Sequence, residues 1–195
     1  MKNFSNRKGF TLVELLIVIV VIGVLSAMMM LSSTEAVSSA KAADIISNLR
    51  NIKTAALEFY ADNMSALTTT NGETKLDQSK IPDIGTGGAE WLGAVIKAHP
   101  SIITKYLGNS NNISLNKGEA GNSNYCQEGG YAVSCAGKGA RWYVIYRFAN
   151  NETSLKEKIT SRAVSTGLLG FDAKNPDDEL TTVYNKNKFV LLRIM

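Results

Sequence analysis

The sequence predicts an α+β fold, a long N-terminal helix packed on a small antiparallel sheet. An apolar run opens the chain. A stretch free of Gly and Pro continues it with helical periodicity. Two β-branched and aromatic segments bounded by turn signals lie near the C-terminus.

The first element is the run from Phe10 to Leu31, 22 residues in which Glu14 is the only charge. As a helix it spans about 33 Å, enough for a bilayer core. Lys2, Arg7 and Lys8 precede it, so the start is expected to face the cytoplasm and the remainder to be exported. The run is longer than a cleaved signal peptide's apolar core of roughly 7–15 residues. "LSA" at 25–27 is only a weak site for removal, and no cysteine follows to accept lipid. A plain signal anchor does not explain Glu14. A charge within a membrane segment costs on the order of 2.5–3.5 kcal/mol near the centre, and less toward the ends, so it is usually paired. The apolar segment holds no cation. Cutting between Gly9 and Phe10 creates one, the α-amine of Phe10, from the same chain or from a neighbour in a staggered bundle.

The helix need not stop at the membrane. Ile45, Leu49, Ile52, Ala56 and Phe59 recur at spacings of 4, 3, 4 and 3, widened by Ile46, Leu57 and Tyr60. Asp44, Arg50, Lys53 and Glu58 lie off that stripe, which is expected to pack on the domain's own sheet. Residues 10–63 then form one helix about 80 Å long.

Residues 64–89, with "TTTNGETK" and "PDIGTGG", read as a surface loop, and "EWLGAVIKA" at 90–98 as a short helix before Pro100. Residues 108–124 read as loop. "QEGGY" is expected to turn a hairpin that Cys126 and Cys135 clip. "RWYVIYRFA" at 141–149 predicts a strand. "SLKE" at 154–157 has capping-box form for a helix ending at Gly167. "NPDDE" is a turn, a short strand is expected near Leu180–Tyr184, and "KNKFVLLRI" at 186–194 closes the sheet.

Composition narrows the function. The 195 residues carry 21 basic and 17 acidic side chains, a formal +4. Without residues 1–9, and their three cations, the balance is 18 against 17, or +1. The basic pI is thus mostly an effect of the leader, and composition gives no reason to expect nucleic acid as a partner. Two cysteines in an exported chain favour one Cys126–Cys135 disulfide over a metal site or redox pair. The sequence holds no nucleophile elbow, His-Glu-x-x-His, phosphate loop or CxxC pair. No catalytic residue, cofactor or metal is expected. His99, the only histidine, reads as structural or solvated, and the sequons at Asn63, Asn112 and Asn151 are weak signals.

"KGFTLVELLIVIVVIGVL" resembles the class III signal and N-terminal helix of type IV pilins and pseudopilins. The resemblance covers about the first quarter of the chain. It implies a pilin-like fold and a prepilin peptidase that cuts after Gly9. It also implies N-methylation of Phe10 and subunit alignment by Glu14. Residues 1–9 would be the leader, 10–31 the transmembrane and assembly half of the helix, and 32–195 the exported globular domain. Where many such chains have a helix-weakening proline, this one has Leu31, so any melted stretch is expected around Ser32-Ser33-Thr34. The implied function is a structural subunit of a pilus-like filament, with copies of itself or other pilins as partners. The protein would reside in the bacterial inner membrane before assembly and in an extracellular or periplasmic filament afterwards. The alternatives are a pseudopilin of type II secretion or DNA uptake and, less favoured, a membrane-anchored enzyme. Pseudopilins of secretion can hold calcium in a C-terminal loop. Asp172, Asp177, Asp178 and Glu179 match no such loop by spacing and read as a solvated turn.

Overall fold

The computed structural model describes residues 9–71, 73–82, 84, 87–108, 113, 115, 126–136, 141–171 and 183–194. Its first element is one helix, α1 (Leu12–Asp62), 51 residues or about 76 Å long. No glycine or proline interrupts its second half, and the helix runs unbroken through Ser32-Ser33-Thr34, the place to which any melted stretch was assigned. Ser33 Oγ there donates to the Met29 and Met30 carbonyls at 3.0 and 3.1 Å. Such back-bonding satisfies the hydroxyl without breaking the backbone ladder.

The two halves of α1 have different surroundings. Every residue from Gly9 to Met30 is exposed. In the second half Ala42, Ile45, Ile46, Leu49, Ile52, Ala55, Ala56 and Phe59 are buried in the main core. The expected stripe is there, except that Leu57 lies at its edge and is exposed. Burial of Leu49, Ile52 and Phe59 contributes about 1.5–3 kcal/mol each.

Two antiparallel sheets follow. In residues 64–89 the surface loop expected from composition is mostly structured. A 3-10 turn at Met64–Ala66 leads into the hairpin β1 (Leu67–Thr70) and β2 (Glu73–Asp77), which β3 (Ala89–Trp91) completes as a sheet of order β1-β2-β3. Asn71, with φ at 53°, makes the tight turn. Thr and Asn signal turns in isolation, but Thr is also β-branched, and cross-strand pairing of Thr69 with Thr74 decides between the two. Of "EWLGAVIKA", Glu90 and Trp91 end β3, and the helix α2 (Leu92–Ala98) follows. Pro100 precedes a further short helix, α3 (Ser101–Thr104).

The larger sheet has order β4-β5-β7-β6, with β4 (Tyr131–Ala136), β5 (Arg141–Arg147), β6 (Leu168–Phe171) and β7 (Phe189–Arg193). Helix α4 (Thr153–Thr166) sits between β5 and β6 in sequence and ends at Gly167, in the left-handed conformation with φ 68°. Along β5 and β7 side chains alternate between two clusters. Trp142, Val144, Tyr146, Val190 and Leu192 join the core beneath α1 and α4, whereas Tyr143, Ile145, Phe189 and Leu191 pack on the opposite face.

Several local expectations need correction. The hairpin is β4–β5, with Tyr131 opposite Tyr146 and Ala136 opposite Arg141. "QEGGY" therefore turns before β4 and not within the hairpin. Gly130 N donates to Gln127 O, and Gly129 N to Arg147 O. The capping box at 154–157 does not form, because α4 begins at Thr153. Glu152 is its N-cap residue, makes no side-chain cap and instead accepts from Ala149 N at 2.9 Å. Strand β6, absent from the expected elements, directly follows Gly167. Val183 forms only an isolated bridge to Leu169, and residues 180–182 of the expected short strand lie outside the described residues. The same holds for Asp172, Asp177, Asp178 and Glu179, and for Asn112.

Candidate functional site: the N-terminal helix end

Gly9, Phe10 and Glu14 stand together at the free end of α1, beyond the globular domain. Gly9 is exposed, and a Cβ built on it would meet nothing within 4 Å among the described residues. The small residue is thus not required by packing. Phe10, 89% exposed, precedes the helix. Thr11 is the N-cap residue, extended at φ −74° and ψ 150°.

Thr11 and Glu14 form a reciprocal capping box. Glu14 N donates to Thr11 Oγ1 at 3.3 Å, while Thr11 N and Thr11 Oγ1 both donate to Glu14 Oε2 at 2.8 Å. Two donors of the first turn are satisfied in this way. The local sequence favours it, since Thr is a preferred N-cap and a carboxylate three residues on sits at the positive end of the helix dipole. Glu14 Oε1 has no partner among the described residues. One oxygen of the carboxylate is committed to its own helix and the other is open.

The apolar run behind this cap is half or more exposed at each large side chain from Leu12 to Met30. Val18 and Val21, at 50%, are the least exposed of the early ones. Helix α1 is long and apolar enough to cross a membrane, and none of its apolar window is buried.

The other sequence-derived candidates lie elsewhere. Cys126 is a buried free thiol in the second cluster with Ala132, Tyr143, Ile145, Phe189 and Leu191. Burial pushes that thiol up to about 12, although the nearby Arg147 acts against it. Arg147 Nη1 donates to Cys126 O at 3.1 Å, and its Nη2 to Glu128 at 3.2 Å. Cys135 is opposite Trp142 in the β4–β5 register, and its side chain lies outside the described residues. His99 is the C-cap residue of α2, its N–H bound to Val95 O. Among the described residues no group of three or more His, Cys, Asp or Glu could hold a metal ion. Tyr131 and Tyr146 are raised above the ordinary phenol range, chiefly by burial, and Tyr131 accepts from Asn48 Nδ2 at 3.0 Å. The Asn48–Tyr131 bond ties α1 to the sheet. Composition did not single out the Asn48–Tyr131 link, because its partners are 83 residues apart.

Residues 4–30 match the family model of the prokaryotic N-terminal methylation motif. The matched segment contains Gly9, Phe10, Thr11 and Glu14 and the apolar half of α1 as far as Met30. The chain therefore carries the prepilin-type signal that its opening residues resemble. Comparison with curated proteins and with solved structures returns no match.

Proposed function

We propose that this chain is a structural subunit of a pilus-like filament, a type IV pilin or pseudopilin. In this reading it is cut after Gly9 by a prepilin peptidase, methylated on the new amine of Phe10, and polymerised through α1. The observation that carries the reading is the exposed, capped end of α1. A membrane-length apolar helix presents a single carboxylate, Glu14, one turn from the bond whose cleavage creates an amine. The matched methylation motif supports the same chemistry at Phe10.

The open Glu14 Oε1 gives the pair a geometry. A neighbouring subunit's Phe10 amine takes that oxygen while Oε2 keeps the Thr11 bonds, so the pairing does not unmake the helix cap. In a low-dielectric bundle the two charges are strongly favoured over either one alone. Before assembly the apolar half rests in the inner membrane with residues 1–9 on the cytoplasmic side. In the filament the same apolar surface packs against other copies.

Glu14→Ala tests this directly. Insertion should be normal or better, since the segment becomes more apolar. Processing should continue because the cut site is untouched. In cells making both forms, the variant should remain in the membrane fraction while wild type enters sheared filaments. Equal incorporation of the two would overturn the role given to Glu14. Microscopy of sheared cells would then separate an extracellular pilus from a short pseudopilus.

A further inference from the structure

The backbone ladder of α1 opens with Leu15 N donating to Thr11 O at 3.3 Å. The next donor toward the N-terminus is Glu14 N. In a helix continued by one residue it would bond Phe10 O, four residues back. Thr11 Oγ1 takes it instead, at 3.3 Å. Thr11 N in turn donates to Glu14 Oε2 at 2.8 Å. Thr11 is extended, so the chain leaves the helical path at this residue. The Gly9 and Phe10 carbonyls accept no hydrogen bond among the described residues, and both residues are exposed.

We infer that Thr11 is a positioning residue for the cleavage itself: its hydroxyl stops α1 before the helix can take up the Gly9–Phe10 peptide. The inference rests on the processing reading above and names the residue that governs it. Hydrolysis adds water across that peptide, hydroxyl to the Gly9 carbonyl carbon and proton to the Phe10 nitrogen, as the bond between them breaks. The Gly9 carbonyl must therefore be open to water and to a peptidase. In a continued helix it would accept from Val13 N and be withdrawn. Cleavage would then follow only the small population in which the helix end is open.

The membrane adds to the pull toward helix. The orphan N–H groups of a first turn find no water in hydrocarbon, so a bare helix end there gains by continuing. Thr11 and Glu14 satisfy two of those donors and remove that gain. The stop itself is the bond from residue 14 N to the Thr11 hydroxyl. Glu14→Ala keeps that bond and loses only the bonds that its carboxylate accepts from Thr11, so the processing expected of that variant is retained.

The test follows the initial rate at which purified prepilin peptidase cuts the full-length chain in membrane vesicles. Thr11→Val keeps the branched shape and loses the acceptor oxygen, and cleavage should slow by about fivefold or more. Thr11→Ser and Thr11→Asn keep a capping oxygen and should stay within about twofold of wild type. The double variant T11V/L12P should recover to the same range. Proline at the first helical position forces the residue before it out of the helix with no hydroxyl needed. That recovery separates a helix stop from direct reading of the threonine by the enzyme. Thr11→Val cut as fast as wild type would overturn the role of Thr11. So would a slow T11V beside an equally slow T11N and T11V/L12P. Either result leaves cleavage after Gly9 intact, whereas a wild-type chain that is not cut there would remove the processing reading itself.

Discussion

At Gly9 the structure separates folding from processing. Nothing among the described residues packs against it, so a larger side chain there meets no clash with them. Gly9→Val should therefore leave the fold unchanged and yet accumulate full-length precursor in the membrane. N-terminal sequencing of wild type should begin at a methylated Phe10. A start at Met1, or near Met28 after "LSA", would contradict the proposed cleavage. Cys126 is the second informative residue. Thiol–disulfide exchange needs the thiolate, and burial holds this group neutral through the physiological range. We propose that any bridge to Cys135 forms during folding, before Cys126 is enclosed. In the chain-entropy model a loop of this length is worth roughly 2–3 kcal/mol. A non-reduced tryptic digest should show the linked pair. If the chain is folded under reducing conditions, Cys126 should resist alkylation at pH 8 until denaturant is added. Two free thiols in the exported protein would eliminate the bridge.

Among the elements, β6 and the segment from Tyr184 to Asn187 constrain each other closely. A Cβ on Gly170 would collide with the Asn187 side-chain amide and come within 2.9 Å of the Tyr184 ring. Tyr184 is buried, its hydroxyl bonded to Asn187 O at 3.1 Å and its amide to Leu168 O at 3.0 Å. Gly170→Val should destabilise the domain by about 1–3 kcal/mol through overpacking. Chemical denaturation would read this, and an unchanged midpoint would mean the segment yields. This element also shows why local reading fell short. "LLGF" is short and contains a glycine, and it becomes a strand because β7 offers Phe189 to Leu192 as pairing partners. The hairpin β1–β2 was hidden likewise, since its threonines fit either loop or strand until cross-strand pairing decides. Helix α1, by contrast, was legible because its signal is local. The period of Ile45, Leu49, Ile52 and Phe59 appears within fifteen residues and needs no partner to be recognised.

For the whole molecule, burial divides α1 sharply. The first of its residues in the core is Ala42, and everything described from Gly9 to Met30 is exposed. The globular domain therefore does not depend on the apolar half for its core. A chain beginning at Ser32 should be soluble and unfold cooperatively, with a thermal midpoint within a few degrees of the full chain in detergent. An aggregated or molten product would show that the apolar half contributes to the fold. The prepilin-type signal, the membrane-length run, the position of Glu14 and the inward stripe of α1 were determined by the sequence alone. Each is a pattern of neighbours along the chain, set by covalent spacing and helical period. Tertiary structure decided the second sheet, the strand order β4-β5-β7-β6, the burial of Cys126 and the pairing of Asn48 with Tyr131. Those depend on residues far apart in sequence being brought together, and the free energy that does so resides in the contacts themselves.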